Sequence, residues 1–131
     1  MVAVSLAPIP GRMLHDTVTL KVVKSMDAYQ EKTYDEYTIS NVHLQGSSDT
    51  VKGPNDTEVQ LRAVLFVDAR KSTPSYNIDA LQAQSLAAGD TMRAVVTDAS
   101  GATVGDFAVL IVDSLPDVPA TRVHHWELSL V

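Results

Sequence analysis

Residues 123–131 read VHHWELSLV. Two adjacent histidines, the only tryptophan and a glutamate stand in an otherwise apolar stretch. Alternation decides how the stretch is read. Trp126, Leu128 and Leu130 fall on one side, and His125, Glu127 and Ser129 on the other. That is the period of a half-buried β-strand, not of a helix. Burial of Trp126 brings a large apolar area and one indole N–H that needs an acceptor. His124 or a backbone carbonyl is the expected partner. The expected core face of this closing strand is His124, Trp126, Leu128 and Leu130.

The same period recurs upstream. DTVTLKVVK sets Val18, Leu20 and Val22 against Thr17, Thr19 and Lys21. EVQLRAVLFVDAR sets Val59, Leu61, Ala63, Leu65 and Val67 on one face, with Val64 and Phe66 on the other. TMRAVVT and DFAVLIVDSL are joined by DASGATVG, where Gly101 suits the positive φ of a hairpin turn. TYDEYTISNVHLQG is a weaker, broken strand, with Ile39, Val42 and Leu44 as inward residues. Strands are therefore expected near 16–24, 36–45, 58–68, 90–97, 105–114 and 123–130. Ile111 and Val109 are expected in the core with Leu20, Leu61 and Leu65. NIDALQAQSLAAG reads as a short helix capped by Asn77 or Asp79 and ended by Gly89. The expected fold class is mainly β, a small barrel or sandwich of about six strands with one long early loop and one short helix.

With 131 residues, one domain is expected: an N-terminal arm over 1–14 and a β-barrel over 15–131. Apolar residues make up 45% of the chain, enough for a core. No apolar run nears the ~20 residues of a membrane span, so no membrane role is expected. The opening MVAVSLAPIPGR lacks the pattern of a signal peptide. Cysteine is absent, which removes disulfides and thiolate chemistry and fits a reducing cytoplasm. The net charge of −6 shows no basic stripe for gripping a duplex.

The search for chemistry is negative. Adjacent His124 and His125 in a strand point to opposite faces, so one zinc ion does not take both. His125 and Glu127 share a face, but two ligands fall short of the three or four that zinc requires. No Gly-x-Ser-x-Gly, phosphate-binding loop or HExxH is present. Asp68 and Arg70, after an apolar strand, are read as a turn or ion-pair contact. No enzyme activity, metal or other cofactor is expected.

One long connection stands out. QGSSDTVKGPNDTE, about Gln45 to Glu58, is rich in turn-forming residues. A long loop in a compact domain is usually functional or disordered, and this one reads as mobile. Lys52 is its only basic residue.

Four stretches carry a resemblance: PIPGRMLHDTVTLK, VQLRAVLFVDARKSTP, LAAGDTMR and VHHWELSLV. In this order they resemble the minor capsid proteins of tailed phages and prophages, over almost the whole chain. SYNIDALQAQSLAAGD is longer than the connection usual in that family. The resemblance implies a structural protein of the virion neck, made in the bacterial host cytoplasm. It implies a stopper-like head-completion protein: a homo-oligomeric β-barrel ring, six-fold or twelve-fold, with a portal or adaptor protein on the head side. A tail terminator or tail tube protein would lie on the tail side, and packaged DNA would be held non-specifically in the channel. By that resemblance, Gly46, Ser47, Ser48, Asp49, Lys52, Gly53, Pro54 and Asn55 form the channel loop. Candidate interface residues are Ile9, Pro10, Met13 and Leu14, together with the 70–89 connection, as partly apolar segments outside the strands. The alternatives are another virion ring, such as a tail terminator or head decoration protein, and a ligand-binding β-barrel with a site around Asp68, Arg70 and His125.

Overall fold

The computed structural model describes residues 14–52, 57–116 and 123–131. Six strands form a closed barrel. They are β1 (Asp16–Met26), β2 (Lys32–Gly46), β5 (Ala63–Asp68), β6 (Arg93–Thr97), β7 (Thr103–Pro116) and β8 (Val123–Leu130). Two short strands, β3 (Thr50–Lys52) and β4 (Glu58–Gln60), pair only with each other, and one helix, α1, spans Ile78–Ala88. The order around the barrel is β1-β2-β5-β8-β7-β6, every neighbouring pair is antiparallel, and β6 returns to β1.

The alternating residues fill the interior as their pattern requires. Val18, Leu20 and Val22 of β1, Leu65 of β5, Ala94 and Val96 of β6, and Leu128 and Leu130 of β8 are fully or almost fully buried. The last strand lies between β5 and β7, pairing Leu65 with Leu128 on one side and Val112 with Leu128 on the other. It closes the barrel from the middle of the sheet.

Five register shifts interrupt the ladders among the described residues, and three of them break the alternation. Asn41 takes φ 61°, the left-handed region that asparagine tolerates better than most residues. The β1–β2 register shifts beside it, so Ile39 and Val42, three apart, both point inward. Leu44, beyond the kink, is only partly buried. A second shift lies between Val23 and Ser25 of β1, and a third between Val109 and Ile111 of β7. The third corrects the expected core: Val109 is buried, but Ile111 is turned into a half-covered position.

Helix α1 covers one mouth of the barrel and answers two of these irregularities. Asn77 is the N-cap, its Oδ1 accepting from Ala80 N at 3.3 Å. Gly89 ends the helix at φ 132°, with its N–H on Leu86 O. Ile78 and Leu81 enter the core. Ser85 Oγ accepts from Val23 N at 3.0 Å and donates to Asp90 O at 2.8 Å. Gln82 donates to Val109 O at 3.0 Å and accepts from Met92 N at 3.0 Å. Two polar side chains on the buried face thus satisfy backbone groups that the shifted ladders leave open. The 70–89 connection is therefore largely a lid, and of its apolar residues Ile78 and Leu81 are withdrawn from any outer face. Leu86 remains 56% exposed.

Two further expectations are corrected. The strand near 58–68 is broken: β4 ends at Gln60 and β5 starts at Ala63. Leu61 N turns to Asp49 O and Arg62 N to Leu130 O, so the chain changes partner between them. Leu14 is 4% exposed. It belongs to the barrel core, because β1 begins two residues later and its apolar side chain has cover. Ile9, Pro10 and Met13 lie outside the described residues. No helix among the described residues is long and apolar enough to cross a membrane.

Candidate functional site

The long early connection is not an irregular loop. Thr50, Val51 and Lys52 pair with Gln60, Val59 and Glu58. The ladder continues back to the barrel through Leu61 N to Asp49 O at 2.8 Å, Ser47 N to Arg62 O at 3.1 Å, and the Gly46–Ala63 pair. The result is a two-stranded ribbon that prolongs the β2–β5 pairing beyond the barrel wall. The β-branched residues Thr50, Val51, Thr57 and Val59 favour this; turn-forming residues on either side hid them. Gly46 and Ser47 lie at the base, Ser48 and Asp49 at the joint, and Lys52 at the end of β3 opposite Glu58. Gly53, Pro54 and Asn55 lie outside the described residues.

The closing strand carries its residues as laid out by its alternation. Trp126 is 6% exposed and His124 9%. The indole acceptor is neither His124 nor a backbone carbonyl. Trp126 Nε1 donates to Asp79 Oδ2 at 3.1 Å, so the partner comes from the first turn of α1. Nothing in the spacing of residues 79 and 126 signals this contact.

An open cleft of about 530 Å³ lies beside that bond. Trp126 and Tyr76 supply its aromatic wall, Arg70, Ser75 and Asp79 its polar groups, and Val123 one rim. The Tyr76 ring meets Tyr37 edge-on at 5.0 Å. Of the residues proposed for a ligand site, only Arg70 borders the cleft. Asp68, 1% exposed, is held in the turn: its Oδ1 accepts from Arg70 N at 2.8 Å and Lys71 N at 3.0 Å. Asp68 N in turn donates to Ser72 Oγ at 2.9 Å.

His125 lies elsewhere, in a row that contains all four histidines. The His15 and His43 rings meet edge-on at 6.0 Å, His43 stacks on Phe66 at 5.9 Å, and Phe66 lies 6.3 Å from His125. Register explains the gathering, because His43 pairs with Phe66 and Asp68 with His125. His124 and His125 are buried to different extents, yet their Nδ1 atoms come within 2.8 Å, the rings at 80°. His125 Nε2 is 3.2 Å from Glu127 Oε2, and His15 Nδ1 is 3.2 Å from Asp16 Oδ1. Among the described residues, no group of three or more histidines and carboxylates is arranged to hold a metal ion.

Two close ion pairs stand elsewhere on the surface. Lys32 Nζ is 2.6 Å from Asp90 Oδ2 and Arg93 Nε 2.9 Å from Asp106 Oδ1. The hydrogen bond to Asp90 holds the Lys32 ammonium above its ordinary pKa. The same bond, helped by Thr91 N–H, holds Asp90 below the ordinary carboxylate value. Asp98, in the β6–β7 turn, is lowered first by the Ser100 hydroxyl and then by backbone N–H groups. These are turn and strand-end contacts of a rigid scaffold. No protein-family model, curated protein or solved structure matches the chain.

Proposed function

We propose that this protein is a structural component of the tailed-phage neck, a stopper-like barrel that forms a ring and closes the DNA channel. Supporting this reading are the four ordered stretches that resemble phage minor capsid proteins. The single structural observation that carries it furthest is the ribbon. A closed barrel is a stiff body with its hydrogen bonds satisfied internally. From it, one paired extension leaves between β2 and β5, anchored by continuous ladder bonds from Gly46 to Lys52. In a ring, such extensions from successive copies converge on an axis. Lys52, across from Glu58, is the basic group that each copy brings to DNA or to a neighbouring carboxylate.

The test replaces residues 50–60 with a short Asn-Gly turn, which keeps Leu61 and the barrel ladder. The variant folds and still joins particles, but tailless heads lose packaged DNA. Retention equal to wild type removes the gate and leaves the ribbon as a docking element for the tail. Imaging of labelled particles places the ring: density on the head-proximal end of free tails, or over the capsid, in place of the neck of tailless heads, would assign a tail terminator or a decoration protein.

A further inference from the structure

We propose that the histidine row is a proton-sensitive fastening of the barrel wall. His15 and His125 take a proton where they stand, whereas His43 and His124 take one only by leaving their positions. This property is independent of the neck reading.

The Nδ1 atoms of His124 and His125 are 2.8 Å apart. At that distance one nitrogen carries the hydrogen and the other offers its lone pair. An imidazolium carries hydrogen on both nitrogens, so the contact tolerates one charged ring and not two. Glu127 Oε2, 3.2 Å from His125 Nε2, gives a charge on His125 its counterion. A second proton, on His124, sets two N–H groups and two positive charges against each other. His124 is 9% exposed, so its ring must turn out of the wall to relieve that clash. Its carbonyl accepts from Ala69 N at 3.1 Å, which ties the movement to the β5–β8 seam.

His43 meets the same limit by another route. Its Nδ1 is buried and has no hydrogen-bond partner among the described residues. A bare lone pair is tolerated there. An N–H of a charged ring is not, because an unpaired buried charge costs far more than an unpaired neutral acceptor. The ring stacks on Phe66 at 5.9 Å and meets His15 edge-on at 6.0 Å. His15, 58% accessible and 3.2 Å from Asp16 Oδ1, takes its proton in water and then repels a charge on His43.

Other charged groups face the row. On β5, Asp68 lies opposite His125, with its Oδ1 engaged by Arg70 N and Lys71 N. On β7, Asp113 lies opposite Glu127. From α1, Asp79 meets Trp126, the next residue along β8. Asp117 and Arg122 lie outside the described residues.

In the unfolded chain all four histidines become charged below about pH 6.5. The folded wall holds two of those protons and refuses the other two. Stability present at neutral pH is therefore lost as pH falls through that range.

Urea unfolding of the full-length protein from pH 7 to 5.5 tests this. The unfolding constant rises with a slope approaching ~100-fold per pH unit, the value for two protons. His43→Leu and His124→Leu each bring the slope toward ~10-fold, and His15→Gln leaves it unchanged. A flat wild-type profile overturns the proposal, and so does a drop in His15→Gln equal to that of the leucine variants. Long-range proton–nitrogen correlation spectra of the wild-type rings give a readout that needs no variant to fold. At pH 5.5 the folded protein shows His15 and His125 charged, His43 and His124 neutral, and the Ala69 amide protected from exchange. Four charged rings with Ala69 still protected overturn the fastening.

Discussion

Trp126 and Asp79 are joined by one hydrogen bond, indole Nε1 to Oδ2 at 3.1 Å, across 47 residues of sequence. The bond ties the last strand of the barrel to the first turn of the helix that covers its mouth. Trp126→Ala removes the ring from a packed site and is expected to cost about 3–5 kcal/mol. Asp79→Asn keeps an acceptor oxygen and stays near wild type. Asp79→Leu leaves the indole without its partner and costs about 1–3 kcal/mol. Urea denaturation followed by circular dichroism ranks the three; equal midpoints for the last two variants would show that the bond is idle.

Gln82 faces the barrel from α1 with both ends of its amide engaged. Gln82→Leu strands Met92 N–H just before β6, whereas Val109 C=O within β7 keeps the Thr91 hydroxyl as a donor. The expected loss is about 1–3 kcal/mol for the group left unpaired. Gln82→Glu keeps the acceptor for Met92 but sets a buried carboxylate against Val109 C=O, so it too destabilises the barrel while Met92 N–H stays paired. Amide exchange at Met92 provides the local readout: fast in the leucine variant, slow in the glutamate one.

The Lys32–Asp90 pair sets both limbs of a stability profile. Asp90 has a depressed pKa, so its contribution is complete above the ordinary value of 3.8 and fades as pH falls through its lower folded value. Lys32 has a raised pKa, so its contribution is complete below 10.5 and fades as pH rises through its higher folded value. The pair is substantially exposed, with side chains 28% and 44% accessible, and screening keeps the effect small. Asp90→Asn should flatten the alkaline limb and reduce the acid one, where Asp98 still contributes. Urea midpoints at pH 3, 7 and 11 for both proteins give the comparison.

Much of the barrel was legible because alternation of apolar residues survives wherever a strand is regular. Val18, Leu20 and Val22 announce their face, and so do Trp126, Leu128 and Leu130. Asn77 and Gly89 mark the helix ends by local chemistry that needs no tertiary partner. The ribbon was hidden because Val51 and Val59 are single apolar residues in arms three residues long, too short to show a period. Ile111 was misplaced because a register shift one step upstream turns it aside, and bulges leave no mark in composition. Asp79 as the partner of Trp126, and the row that joins His15, His43, Phe66 and His125, depend on which strands become neighbours. Strand register gathers the row, and the docking of α1 on the barrel brings Asp79 to Trp126; one sequence displays neither.

The strand order also dictates how the molecule must be made. Two seams hold the barrel shut, β1 against β6 and β5 against β8. The first brings together Thr17 and Thr97, 80 residues apart. Long-range pairings of this kind form late, and domains dominated by them fold in milliseconds to seconds rather than microseconds. Until β8 slots between β5 and β7, those two strands present open edges and an apolar groove where Trp126, Leu128 and Leu130 will lie. The half-closed barrel is thus a sticky species with a gap of one strand's width. A chaperone that shields this gap, or slow synthesis that keeps nascent copies apart, would raise the yield of folded protein.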